Sequence, residues 1–168
     1  LGLRGLWYPG STDNAGALYD QTGQGRTLTY NGNPTLNVYG GFIPYYDLDG
    51  TGDYFSRADE AGLDIAGTET TIASALRGLT LGMWVRPDAF ASDNYLFGKY
   101  LTTGNQRGYL LYTSSVGGTS MNVSSAGTSA VASTSATVTQ GAWNFVVGRF
   151  TPSTEIKVFV NELTGITT

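Results

Sequence analysis

The chain has 168 residues, the size of one domain, with a net charge of −4, 24 glycines, 11 tyrosines, no histidine and no cysteine. The absence of histidine and cysteine excludes imidazole acid–base catalysis, thiol nucleophiles, disulfides and the usual zinc sites. The acidic balance argues against nucleic acid as a partner. No apolar run approaches the ~20 residues that a membrane-spanning helix needs.

Short apolar or alternating runs recur along the chain between Gly, Asn, Asp, Ser and Pro, and the helical period is almost absent. In the first half, these runs predict strands at 3–8, 27–30, 42–48, 53–56 and 79–85. One helical turn is expected within ASALRGL, residues 73–79. In the run LTLGMWV, period two places Leu81 and Met83 on one side and Trp84 on the other.

The second half predicts further strands in NYLFGKY, GYLLYTS, SMNVSS and SAVASTS, and at 143–150 and 156–161. About ten to twelve strands at this spacing predict an all-β fold, a two-sheet antiparallel β-sandwich. We expect residues 1–168 to form a single domain. Trp7, Trp84 and Trp143 are expected to be core anchors because each lies in a strongly apolar run.

The stretch YYDLDGTGDYFSRADE, residues 45–60, concentrates acidic side chains among aromatic ones. As a catalytic pair it would need two carboxylates about 5 Å apart, but Asp49 runs at once into the turn at 50–52, and no glutamate lies in a strand two residues from a second carboxylate. As a calcium loop with its first ligand at Asp47, it has no bidentate glutamate at the twelfth position, which is Ala58. We therefore interpret it as a turn, in which Gly50 and Gly52 take positive φ and the carboxylates of Asp49 and Asp53 accept hydrogen bonds from turn amides.

The order of several motifs carries a family resemblance. They are GLW, the D-x-[ST]-G-x-G loop at 20–25, LDGTGDYFS, LTLGMWVRPD, FGKY, GYLLYT, GAWNFVVGRF and KVFVN. The set resembles the laminin G-like, concanavalin A-like jelly-roll domains found in secreted proteins and in phage structural proteins. In that family the strand resembling KVFVN is followed by further strands, whereas this sequence ends eight residues after Val160. We expect a longer polypeptide, or a partner chain that supplies the closing strands.

The resemblance implies a non-enzymatic binding or adhesion module, one that recognises a carbohydrate or another host-surface ligand at an extracellular or virion surface. A purely structural decoration domain of a larger assembly is the first alternative, and a glycoside hydrolase on the same fold is the second. The expected partners are a glycan or host-surface ligand and other subunits of an assembly, with no nucleic acid and no membrane span.

The resemblance also implies one structural calcium ion at the DQTGQG loop. Asp20 would supply a carboxylate ligand and Asp13 a second one, with backbone carbonyls completing the shell. The alternative at the same loop is an Asx-turn, in which Asp20 binds backbone amides and no ion.

A sugar site needs an exposed aromatic ring and side chains that hydrogen-bond hydroxyl groups. The loop KYLTTGNQRGY and its flanks offer both types of residue, and loops commonly carry function. The alternative is an ordinary hairpin in which part of these aromatics belongs to the core. The candidate ligand-binding residues are Tyr95, Tyr100, Asn105, Gln106, Arg107 and Tyr109, with Tyr112 beside them.

Overall fold

A computed structural model describes residues 2–9, 17–64, 78–90, 92–124, 127–133, 135–162 and 166–167. The chain forms two compact units, Leu1–Gly62 and Leu63–Thr168. Regular structure in the described residues consists of antiparallel strands and two short 3-10 turns, at Ala61–Leu63 and Thr103–Asn105. No helix among these residues has the length and apolar character to cross a membrane.

The first unit contains a three-stranded sheet and a separate hairpin. The sheet has the order β1-β2-β5 and the hairpin pairs β3 with β4. These strands are β1 Ala17–Leu18, β2 Leu28–Asn31, β3 Thr35–Tyr39, β4 Ile43–Asp47 and β5 Tyr54–Ser56. The sequence prediction located β2, β4 and β5 and missed β3 and the two-residue β1.

The predicted strand at 3–8 is wrong. This segment forms only one isolated antiparallel bridge, from Trp7 to Asp20. The ring of Trp7 folds back over Gly5, and its Nε1 donates a hydrogen bond to the carbonyl of Arg26 at 2.7 Å. The apolar run therefore packs locally instead of joining a ladder. The predicted helical turn at 73–79 lies, apart from its last two residues, outside the described residues.

The acidic stretch forms the turn that the sequence predicts. Gly50 and Gly52 have φ values of 76° and 83°. Asp49 Oδ1 accepts a hydrogen bond from the amide of Thr51 at 2.6 Å, and Asp53 Oδ2 accepts one from the amide of Asp49 at 3.2 Å. These carboxylates therefore satisfy turn amides, and the described residues contain no group of three side chains suited to a metal ion.

The second unit consists of two facing antiparallel sheets. Sheet A has the order β14-β13-β12-β6, and sheet B has the order β10-β9-β8-β7, with β11 also paired to β9. The strands of sheet A are β6 Leu79–Val85, β12 Asn144–Thr151, β13 Glu155–Val160 and β14 Ile166–Thr167. Those of sheet B are β7 Asn94–Leu101, β8 Gln106–Thr113, β9 Gly118–Val123, β10 Val131–Ala132 and β11 Ala136–Thr137. This arrangement confirms the predicted β-sandwich.

The core of this unit lies between the two sheets. Leu111 and Met121 of sheet B and Val146 and Val158 of sheet A are all fully buried. The sheets approach closely at Gly148, where an added Cβ would lie 2.9 Å from Met121 Sδ and 3.1 Å from Leu111 Cδ1. A side chain larger than hydrogen therefore has no room at this position.

Strand β12 alternates strictly between the core and the surface. Val146, Gly148 and Phe150 are buried against sheet B. The residues between them face outward, and the ladder with β6 sets Phe145 opposite Trp84 and Arg149 opposite Thr80. Burial of one set of side chains thus determines which residues form the outer face of sheet A.

The buried side chain of Asn144 fixes the start of β12. Its Oδ1 accepts a hydrogen bond from the amide of Thr139 at 3.0 Å and another from Asn161 Nδ2 at 3.1 Å. Its Nδ2 donates to the carbonyls of Thr139 and Ala142 at 2.9 and 2.8 Å. One amide group therefore joins the turn before β12 to the end of β13.

We expect Asn144→Asp to destabilise the fold, because a carboxylate oxygen would then face the two carbonyls that Nδ2 now binds. The free energy of unfolding should fall by about 1–3 kcal/mol or more. Urea denaturation at neutral pH measures this change. Asn33→Asp, at an exposed position, is the matched control. Equal losses in the two variants would contradict the role given to Asn144.

We expect Gly148→Ala to overpack the core and lower the free energy of unfolding by about 1–3 kcal/mol. Gly82→Ala on the neighbouring strand is the control, because its Cβ would meet Phe145 and Val147 at ordinary distances of 3.6 and 3.8 Å. The control should change stability by no more than about 0.5 kcal/mol. The close approach of the sheets would be disproved if both alanines were tolerated equally well.

Candidate functional site

The carboxylate of Asp20 organises the DQTGQG loop. Oδ1 accepts hydrogen bonds from the amides of Leu6 and Thr22 at 3.3 and 3.0 Å, and Oδ2 accepts one from the amide of Arg26 at 3.0 Å. The hydroxyl of Thr22 lies 2.8 Å from both oxygens. Three backbone segments therefore converge on one carboxylate.

These contacts hold Asp20 in its ionised form. Burial raises the pKa of Asp20, but the hydrogen bonds donated by Thr22, Arg26 and Leu6 together outweigh it and lower this pKa to about 2. The donors stabilise the charged carboxylate because each points a partial positive charge at it.

The same hydrogen bonds leave little room for the predicted calcium ion at Asp20. Both oxygens of Asp20 already accept hydrogen bonds, and the donating hydrogens lie where a cation would have to approach. Asp13, the second predicted ligand, lies outside the described residues. The geometry around Asp20 fits the Asx-turn better than an ion site, and the calcium ion stays a prediction.

Four of the predicted glycan contacts lie at the tip of the β7–β8 hairpin, and we call this tip the hairpin surface: Tyr100, Asn105, Gln106 and Arg107. The guanidinium of Arg107 lies 6.0 Å from the ring centroid of Tyr100. It also donates hydrogen bonds to the carbonyls of Gly127 and Thr128, both at 2.9 Å. Arg107 thus anchors a neighbouring loop, while the side chains of Asn105 and Gln106 are exposed.

The remaining predicted contacts do not join the hairpin surface. Tyr95 is 65% exposed but lies near the start of β7, about 17 Å along the strand from Tyr100. Tyr109 is 3% exposed and its hydroxyl donates to the carbonyl of Leu63 at 3.1 Å. The expectation for Tyr109 is therefore corrected, because its inward position on β8 places the ring in the core. Tyr112 is partly buried in the same strand.

The outer face of sheet A carries an aromatic surface that the sequence analysis did not assign. Trp84 is 63% exposed and Phe145 is 40% exposed, with ring centroids 5.1 Å apart at 42°. Partly buried Val147 and Phe159 continue this surface across β12 and β13. We call these four residues the aromatic face.

The exposure of Trp84 corrects the expectation that it is a core anchor. Alternation along LTLGMWV already placed Trp84 opposite to Leu81 and Met83, and this orientation is confirmed. The expectation followed the apolar character of the whole run, although the alternation indicated that Trp84 faces outward. Trp84 on the same side as Thr80 was the available signal of an outward-facing tryptophan.

A charged group adjoins the aromatic face on the same side of sheet A. Glu155 accepts hydrogen bonds from Lys157 Nζ, at 2.9 Å, and from Arg149 Nη2. Both contacts lower the pKa of Glu155, and the contact with Lys157 has the larger effect. The guanidinium of Arg149 also lies 5.6 Å above the ring of Phe159. Arg149 therefore links the charged group to the aromatic face.

This arrangement suits binding rather than hydrolysis. Exposed aromatic rings can stack against the apolar C–H face of a sugar, and neighbouring cations can hydrogen-bond its polar groups. Glycoside hydrolysis commonly requires two carboxylates across the scissile bond. On the described strands of sheet A, Glu155 is the one carboxylate, and both its oxygens are paired with cations.

We expect Asp20→Asn to weaken the first unit by about 1–2 kcal/mol at neutral pH, because the charged acceptor is lost. The folded-state pKa of Asp20, about 2, is below its unfolded value of about 3.9. Its ionisation therefore contributes stability that is complete above about pH 4 and is lost as the pH falls toward 2. Unfolding curves between pH 2 and pH 7 should show a smaller acid-side loss in the variant.

Asp47→Asn is the control for this prediction because Asp47 is exposed. Its acid-side loss of stability should match that of the wild type. The same curves with added calcium test the ion, since calcium should leave the wild-type melting temperature unchanged if Asp20 forms only an Asx-turn. A calcium-dependent rise that disappears in Asp20→Asn would instead establish the ion site.

Comparison with a solved structure places the fold among known proteins. The structure comes from a study reporting that botulinum neurotoxin type C depends on interaction with two ganglioside molecules to enter cells. The TM-score is 0.64 at 11% sequence identity, and the match covers 97% of this chain and 38% of that one. At this identity the likeness shows a shared fold, and this chain spans well under half of the neurotoxin chain.

Comparison with known sequences identifies the family. No curated protein matches the sequence. The laminin G-type family described as the concanavalin A-like lectin/glucanases superfamily matches residues 49–162, a range that covers β5, all of sheet B and β6, β12 and β13 of sheet A. This range is more than half of the chain, and the chain belongs to the concanavalin A-like lectin/glucanases superfamily.

Proposed function

We propose that this protein is a non-enzymatic carbohydrate-binding module whose ligand stacks on the aromatic face. The observation that carries the proposal is the exposed pair of Trp84 and Phe145 on an open sheet. Burial of an indole ring stabilises a folded protein, and most of the Trp84 ring remains unburied and so contributes little of this stabilisation. A sugar laid against the two rings would recover part of that burial.

The comparisons support a glycan as the ligand. The superfamily takes its description from lectins and glucanases, and the neurotoxin with a similar fold is reported to interact with gangliosides, which carry an oligosaccharide headgroup. Of the two activities in the superfamily description, binding is favoured over hydrolysis because Glu155 is the one carboxylate on the part of sheet A that the structure describes. A glycan ligand is in keeping with the expected extracellular or virion location.

A structural role in a larger assembly is the second candidate. The observation that favours it is the β3–β4 hairpin, where Val38 and Tyr39 are 55% and 50% exposed and Phe42 and Ile43 are 78% and 48% exposed. Exposed apolar clusters of this kind mark protein–protein contacts in other proteins. This surface would serve subunit contacts, and the aromatic face would then carry no sugar.

We expect Trp84→Ala to weaken glycan binding at least about tenfold, the loss that accompanies removal of one stacked ring. A glycan array probed with the purified protein identifies the ligands, and calorimetry with the strongest ones gives the affinities. Phe42→Ala is the matched control, since it removes an exposed aromatic ring from the first unit. The control should bind as the wild type does.

Gln106→Ala tests the hairpin surface in the same assay. If it weakens binding while Trp84→Ala does not, the hairpin surface is the site and the aromatic face is not. If no glycan on the array binds, the carbohydrate proposal fails and the assembly role becomes the better account. Incubation of bound glycans with the protein, followed by mass spectrometry, should release no shorter product; a product would reveal a hydrolase.

A further inference from the structure

The outer face of sheet A has a charge opposite to that of the whole chain. Its outward positions carry Arg149, Lys157 and Glu155, which sum to +1, whereas the chain carries −4. Arg149 and Lys157 lie at the end of the face that is distant from Trp84 and Phe145. Residues that follow β6 and β13 at the aromatic end include Arg86, Asp88 and Glu162, which sum to −1. The net charge therefore changes along the strands, from positive at the Arg149 end to negative at the Trp84 end.

The cations retain hydrogen-bonding capacity toward solvent. The contact of Arg149 with Glu155 uses Nη2, and among the described residues Nη1 donates to no acceptor. The Arg149 side chain is 42% exposed. Within the described ranges, Lys157 donates one hydrogen bond, to Glu155, of the three that its ammonium can make. Stacking on Phe159 and pairing with Glu155 hold the guanidinium in place before any ligand arrives.

The spacing of the two ends indicates the size of the ligand. Phe145, Val147 and Arg149 are successive outward residues of β12. Phe145 and Arg149 are four residue steps apart on an extended strand, which is a distance of about 14 Å. This span exceeds a single sugar ring and suits a short oligosaccharide that runs along the strand direction.

We propose that the ligand is an anionic oligosaccharide, with a sugar ring stacked on Trp84 and Phe145 and its carboxylate or sulfate bound by Arg149 and Lys157. This inference rests on the proposed carbohydrate binding and adds the class of glycan and its orientation. Arg149 would donate to the anion through Nη1 while Nη2 stays bound to Glu155, and a charge-assisted hydrogen bond of this kind is roughly twice as strong as a neutral one.

The test is an array in which each carboxylated or sulfated oligosaccharide is printed beside its neutral counterpart. We expect the wild type to bind the anionic member about tenfold more tightly at low ionic strength. Added salt should reduce this preference. Arg149→Gln should remove most of the preference and leave binding to the neutral member nearly unchanged, whereas Trp84→Ala should weaken both. Comparison of carboxylated with sulfated members shows which anion is preferred.

Lys157→Gln serves as a second variant because Arg149 also packs on Phe159, and its substitution could disturb the fold. It should lower the preference for the anionic member by several-fold. Arg4→Gln, which removes the same charge at an exposed position in the first unit, should leave the preference intact. Equal binding of anionic and neutral members overturns this inference but not the proposed function. Failure to bind any glycan overturns both.

Discussion

The alternate burial of β12 is the constraint on which the second unit depends. Val146, Gly148 and Phe150 must face sheet B. Because Gly148 has no side chain, Met121 and Leu111 of sheet B can pack directly against the backbone of β12. Because side chains alternate strictly along a strand, a slip by one residue would expose the core set and bury Arg149. The same burial that stabilises the sandwich therefore holds the aromatic face and its cations toward solvent.

In each of the two units, one short polar side chain hydrogen-bonds to separate backbone segments and holds them together. Asn144 joins a turn to the end of β13, and Asp20 joins the N-terminal segment to the loop before β2. Asn144 is fully buried and Asp20 is partly buried, and each joins backbone groups of separate segments through hydrogen bonds of fixed geometry. The difference is charge: the amide of Asn144 offers donors as well as acceptors, and the carboxylate of Asp20 gathers only donors.

The sequence predicted most strands, the sandwich and the turn at 49–53 because these follow from local alternation and from glycine at positive φ. It could not predict the partner of each strand, and the candidate site depends on those partners. The pairing of Trp84 with Phe145 arises from the β6–β12 ladder. Tyr109 was misassigned because residue type indicates an aromatic side chain's size but not the face that the second sheet covers. For Trp84 the alternation along LTLGMWV did indicate the outward side, and the apolar composition of the run was given too much weight.

The aromatic face joins residues that are distant in the chain. All of sheet B is synthesised between β6 and β12, so their ladder closes a very large loop. Closing such a loop carries an entropic cost, and folds dominated by non-local pairs of this kind cross their folding barrier slowly. The rings of Trp84 and Phe145 consequently meet only when the sandwich as a whole is formed. A ligand that bridges them would bind a surface that partly folded chains do not possess.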